Sequence, residues 1–89
     1  MQRRIAGFIW RDWVVDKIID KHMWPEEVEE AFFNPPYKVR RAGSDKYLLF
    51  GQSEDGRYLF IVFAWQDHQI RIITARDMTH TERRFLGRK

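Results

Sequence analysis

Four arginines stand close together near the carboxyl-terminal end, Arg71 and Arg76 in the run RIITAR and Arg83 and Arg84 in the run ERR. A guanidinium stays protonated at any physiological pH, and its planar fork holds a pair of anionic oxygens bidentately. Such a concentration of forks fits a surface that grips phosphate, so nucleic acid is the first partner to consider. RNA can be cut with no metal, because the ribose 2′-hydroxyl attacks its own phosphate. The protein then need only bind the backbone, move a proton and stabilise the charge that builds on the phosphorane. On this reading Arg71 and Arg76 hold phosphate, and His80, lying among the arginines, or Lys46 moves the proton. Arg41, Arg57, Arg83 and Arg84 extend the basic surface that binds RNA. The competing reading for each arginine is a surface ion pair, for instance with the acidic second helix, which predicts near-silent mutants.

Geometry sets a condition on the pair. Strict alternation along a strand puts residues five apart on opposite faces, so Arg71 and Arg76 share a substrate only if the strand bends or ends before Arg76. The turn into the following helix is the expected place for that bend.

The positioning elements can be read from periodicity. Ile5 to Trp10 reads as a short opening strand. Val14, Val15, Ile18, Ile19 and His22 recur at helical spacing and predict an amphipathic helix over 12–22, with His22 half-buried on its apolar stripe. Pro25 suits the first position of a second helix, Glu26 and Glu27 complement its dipole, and Asn34-Pro35-Pro36 ends it. Strand-forming runs follow at 37–41, 46–53, 57–66 and 69–76, separated by Gly43-Ser44-Asp45, Asp55-Gly56 and Asp67-His68. Asp55-Gly56 carries a type I′ hairpin signal. The third run, Leu59 to Trp65, is apolar on both faces and should be central. Thr79-His80-Thr81-Glu82 fits a capping box opening a last helix over 80–86. The expected architecture is α+β: two amino-terminal helices, a four-stranded antiparallel meander and a short carboxyl-terminal helix, in one domain spanning 1–89.

Composition narrows the class. Among 89 residues, 44% are hydrophobic and 16% aromatic, a balance typical of a folded chain. With no cysteine there is no disulfide framework or thiolate metal site, and a reducing, cytoplasmic compartment is expected. The three histidines have no metal-ligand spacing, and no cofactor is expected. The apolar start is too short for a secretory signal, and no run approaches the length of a membrane span. The net charge of +3 is unevenly spread: residues 11–34 hold three basic and seven acidic side chains, residues 69–89 six and two. That asymmetry points to an anionic partner at the basic end and a basic one at the acidic end. The four tryptophans, Trp10, Trp13, Trp24 and Trp65, read mostly as core or partner-contact residues.

The order of several short motifs is also familiar. Phe8, Trp10 and Asp12, then Lys21 and His22, then Glu26, Glu27, Val28, Phe32 and Pro35, and finally Arg71, Ile72, Ile73, Ala75, Arg76, Glu82 and Arg83 together resemble the BrnT toxins of bacterial toxin–antitoxin pairs. Met23 stands where that pattern has glycine, and Gln52 where it has a basic residue. The resemblance implies a RelE-like ribonuclease that inhibits translation. It also implies an antitoxin of the BrnA type, in a heterotetramer whose ribbon-helix-helix domain reaches DNA, with the toxin itself touching DNA only through it. The hydrophobic face of the first two helices is the expected seat of that antitoxin. Two rival readings of the residues stay open: an RNA-binding or antitoxin-bound module that cuts nothing, and an inert protein-contact member of the same fold.

Overall fold

The computed structural model describes residues 4–88, so the outermost ends of the expected 1–89 domain lie outside the described residues. The chain runs β1 (Gly7–Ile9), α1 (Asp12–Ile19), α2 (Pro25–Ala31), β2 (Lys38–Arg41), β3 (Tyr47–Gln52), β4 (Tyr58–Gln66), β5 (Gln69–Asp77) and α3 (His80–Gly87). The α+β class and the meander β2-β3-β4-β5 are as expected, but the sheet is five-stranded and mixed, in the order β1-β5-β4-β3-β2. The opening strand pairs parallel to β5, Phe8 opposite Ile70. A four-stranded meander would leave β5 with a row of unpaired backbone groups, and β1 covers part of that edge. Three residues carry too little pattern to announce a partner sixty positions away.

α1 is also shorter than the spacing predicts, ending at Ile19. His22 adopts a left-handed conformation, φ 59°. Its N–H donates to the Ile19 carbonyl at 2.9 Å while the Met23 N–H donates to the Ile18 carbonyl at 3.0 Å, the bonding of a Schellman motif. Met23 therefore folds back on Ile18, both fully buried, and His22 is turned out to solvent rather than half-buried.

Two turns differ in kind. Asp67 and His68 both have positive φ, as a two-residue type I′ turn requires, and close β4 onto β5. At Asp55-Gly56 only the glycine does, φ 89°. The Gly56 N–H donates to the Ser53 carbonyl and the Ser53 N–H to the Arg57 carbonyl, both at 3.0 Å. This is a three-residue loop built on a type I turn with glycine in the left-handed position, in place of the type I′ turn that the dipeptide signals.

The apolar stripes of α1 and α2 lie on one face of the sheet. Val14, Ile18, Val28, Ala31 and Phe32 close over Leu49, Leu59, Ile61, Phe63, Ile70, Ile72 and Ala75. α3 lies on the other face, where Met78 and Leu86 pack with Phe50, flanked by Leu48, Tyr58, Phe60 and Phe85. β4 is thus covered on both sides, as its unbroken apolar run demands.

A bulge decides which way β5 presents its arginines. Thr74 lies opposite Val62 and Ile72 opposite Phe63, which leaves Ile73 with no partner on β4. The extra residue restores parity across the five-residue interval: Ile70, Ile72 and Ala75 face the helical layer, and Arg71, Thr74 and Arg76 face the other side. Deleting one isoleucine of the Ile72-Ile73 pair keeps every flanking pair in register. Such a variant is expected to unfold cooperatively, with its melting temperature within several degrees of wild type. A circular-dichroism melt without a cooperative transition would contradict this account of the bulge.

Candidate functional site

The ladder arranges the α3 face of the sheet in transverse rows. Lys38, Phe50, Phe60 and Arg76 are successive Cα partners and form one row, a cation at each end and two rings between. Arg40, Leu48, Val62 and Thr74 form the next. Beyond it Arg71 lies opposite Ala64. Ala64 lies four positions along β4 from Phe60, so the Cα atoms of Arg71 and Arg76 are about 13 Å apart on one face.

α3 is strapped across the first row at both ends. Lys38 Nζ donates to the carbonyls of Phe85 at 2.7 Å and Arg88 at 2.6 Å, placing a cation on the negative end of the helix dipole. At the other end Arg76 Nη1 and Nη2 each donate to a Glu82 carboxylate oxygen at 2.8 Å, and its guanidinium lies 4.2 Å over the Phe60 ring. The expected capping box is present: Thr79 Oγ1 accepts from the Glu82 N–H at 3.2 Å, and Glu82 Oε1 accepts from the Thr79 N–H at 2.9 Å. One carboxylate therefore caps α3 and fills the fork of Arg76. The signal for that second role was a glutamate six residues on, at the third position of a helix beginning beside the arginine.

Arg71 is different. It is half-buried, its Nε is buried with no hydrogen-bond partner, and no ion pair is found for it among the described residues. A buried donor without a partner carries a desolvation cost of about 1–3 kcal/mol.

The remaining sequence-derived candidates divide by face. Arg83 lies with its guanidinium 4.2 Å over the Tyr58 ring, on the α3 side. Arg84 and His80 are exposed on α3, His80 at its first position. Lys46 is exposed immediately before β3. Arg41 and Arg57 are not part of this group. Arg41 pairs with Tyr47, whose ring packs on Phe63 of the helical layer, and it donates to the carbonyls of Gly43 and Ser44.

Arg57 holds three elements together on that same layer. It donates to Asp77 through Nε at 2.7 Å and Nη2 at 3.1 Å, to Glu27 at 3.2 Å, and to the His22 carbonyl at 2.7 Å. The acidic second helix thus takes Arg57 as its partner, while Arg71 and Arg76 lie across the sheet. Arg57→Ala is expected to cost about 1–2 kcal/mol in denaturant unfolding, the charge-assisted bonds being discounted for partial exposure.

The Arg76–Glu82 and Arg57–Asp77 ion pairs give the fold an acid limit. Hydrogen bonding to Arg76, opposed by burial, holds the Glu82 carboxyl below the usual glutamate range, and Arg57 does the same for Asp77. Depressed carboxylates contribute stability above their unfolded values of about 4, and that contribution is lost as pH falls through the folded ones. Melting temperature is therefore expected to fall below about pH 4.5. In Glu82→Gln the acid fall should be shallower, from a lower plateau at neutral pH. A variant curve that parallels wild type would remove Glu82 from the account.

Among the described residues, no group of three or more His, Asp or Glu side chains converges on a possible metal position. No helix among them is long and apolar enough to cross a membrane.

No curated protein sequence matches the chain. Among solved structures, the 1.1 Å crystal structure of the Brucella abortus ribonuclease toxin BrnT is similar, with a TM-score of 0.66 at 17% identity, covering 83% of this chain and 97% of that one. At that identity the likeness is one of fold. The family model for BrnT, the ribonuclease toxin of type II toxin–antitoxin systems, matches residues 10–82. With the sheet, its helices and the shared face of arginines in place, the match along most of its length shows that this chain belongs to the BrnT family of ribonuclease toxins.

Proposed function

We propose that this chain is a metal-independent endoribonuclease with a RelE-like architecture, acting in the cytoplasm to inhibit translation and neutralised by a BrnA-like ribbon-helix-helix antitoxin. The observation that carries the reading is the Ile73 bulge, which turns Arg71 and Arg76 to one face while Arg71 has no carboxylate in its fork among the described residues. The 2′-oxygen bonds to phosphorus as its proton passes to a base, and the bond to the 5′-oxygen breaks as that oxygen takes a proton. The products are a 2′,3′-cyclic phosphate and a free 5′-hydroxyl. Arg71 stabilises the phosphorane charge. Arg76, with Glu82 in its fork, orients α3 and contributes positive potential, and Arg83 and Arg84 bind flanking phosphates. His80 and Lys46 are the proton carriers of this reading.

The same geometry favours a second reading, in which RNA is bound and not cut. Arg76 is already neutralised, and Gln52 stands where a basic residue is expected. Binding that weakens steeply with salt and leaves RNA intact is its signature.

The antitoxin seat differs from the expected apolar stripes of the first two helices. The apolar faces of α1 and α2 are buried against the sheet and cannot receive a partner. Trp13, Ile19, Trp24 and Phe33 remain exposed on these acidic elements, and they are the proposed contacts of a basic antitoxin segment, with the heterotetramer and DNA contact supplied through it.

Inducing the wild-type chain in bacteria is expected to stop growth and fragment RNA. The purified protein should cut RNA in EDTA. Normal growth with intact RNA would overturn the enzymatic reading.

A further inference from the structure

We propose that the cleft between α3 and the sheet is a subsite for one unpaired nucleobase, selecting a base with an exocyclic amino group over uracil. The inference rests on the RNA-binding reading and goes beyond it by naming what is read beside the phosphate.

The cleft is open to solvent, has a volume of about 350 Å³ and is lined by Phe50, Thr81, Glu82, Phe85 and Arg88. That lies in the range of small-molecule sites, which combine apolar walls with a few placed polar groups. Phe50 and Phe85 meet edge to face, ring centroids 4.9 Å apart at 70°, with Phe50 buried as the floor of the cleft and the half-buried Phe85 ring as its aromatic wall. Proteins that recognise single-stranded RNA stack splayed bases on such side chains and bond their edges.

The polar group is Glu82. Its Oε1 accepts from Arg76 and from the Thr79 N–H, and its Oε2 accepts from Arg76 alone. A carboxylate has about four acceptor positions, so one remains on Oε2. The ion pair with Arg76 keeps this carboxyl ionised and therefore acceptor-only. A projecting amino N–H of adenine, cytosine or guanine meets that position. Uracil offers an imino N–H between two carbonyl oxygens, which would be pressed against the carboxylate.

Cations rim the cleft. Arg88 stands at its mouth, Lys38 and Arg40 lie 4.6 and 4.9 Å from the Phe85 ring centroid, and Arg76 lies behind Glu82. Arg40 and Arg88 supply phosphate contacts to the nucleotide whose base is inserted, while Lys38 and Arg76, engaged with α3, add positive potential. The site thus combines an aromatic wall, one acceptor and an anion-attracting rim.

The test uses uncleavable 2′-O-methyl octamers, all-uridine or with a single adenosine at the centre, and fluorescence anisotropy at fixed salt. Wild type is expected to bind the adenosine oligomer about tenfold more tightly. Thr81→Met places a long, flexible chain in the cleft at an exposed helical position. It should bind both oligomers equally, with all-uridine affinity unchanged, once circular dichroism shows it folded. Equal affinities in wild type would overturn the base subsite while leaving RNA binding intact. An undiminished preference in Thr81→Met would place the base elsewhere and also overturn it. No binding of either oligomer by wild type would overturn the subsite together with the reading beneath it.

Discussion

Arg71→Met is expected to lower RNA cleavage by about 10²–10³-fold, the usual effect of losing one preorganised charge-stabilising group. Its melting temperature should be equal to or above that of wild type. The opposite signs carry the diagnosis. The Arg71 Nε is buried without a partner, so the folded state gains nothing from it and bears its desolvation. Methionine keeps the stem and removes that cost. Arg71→Lys keeps the charge and loses the fork, and should recover only a small part of the activity. If Arg71→Met cut RNA as well as wild type, the unpartnered guanidinium would have no assigned role.

The second large effect concerns the other face. Phe63 is fully buried, with its ring centroid 5.1 Å from that of Phe32 and 5.6 Å from that of Tyr47. It also sits where β4 faces the bulge, opposite Ile72. Phe63→Ala is expected to cost about 3–5 kcal/mol, the range for a phenylalanine truncated in a core. Domains of this kind have about 5–15 kcal/mol in total, so the variant should be partly unfolded near 37 °C. Urea titration of both proteins at one temperature measures the difference. A cost of about 1 kcal/mol or less would show that the Phe32–Phe63–Tyr47 packing is not the centre of the core.

These two residues illustrate what was legible in the chain. The apolar run around Phe63 announces a central strand, because few patterns other than a doubly covered strand put seven apolar residues in a row. The capping box at Thr79 to Glu82 was likewise readable, since both partners lie within one helical turn. The same turn hid a second relationship: Glu82 also occupies the fork of Arg76, and that pairing depends on how β5 leads into α3. The end of α1 followed a similar course. His22 sits at helical spacing, but a Schellman turn ends the helix before it and draws Met23 inward.

The faces of Arg71 and Arg76 were the least accessible feature. Counting residues places them on opposite sides, and no residue type in RIITAR marks a bulge. The extra position is filled by Ile73, which is an ordinary strand former and not a glycine, so it leaves no signature. The parallel pairing of β1 with β5 was hidden for a related reason: its stabilisation is long-range and its three residues are locally unremarkable. Arg57 shows the converse. It reads as one more member of a basic surface, whereas the structure places it on the helical layer, held by Asp77 and Glu27.

The most direct measurement maps the RNA on the protein. Titrating an uncleavable 2′-O-methyl oligonucleotide into ¹⁵N-labelled wild type should shift the amides of Arg71, Thr74 and Arg76 on β5, Val62 on β4 and the first turn of α3, and leave those of α1 and α2 in place. Shifts confined to α1, α2 and the Arg57 cluster would put RNA on the opposite side of the sheet and contradict the account.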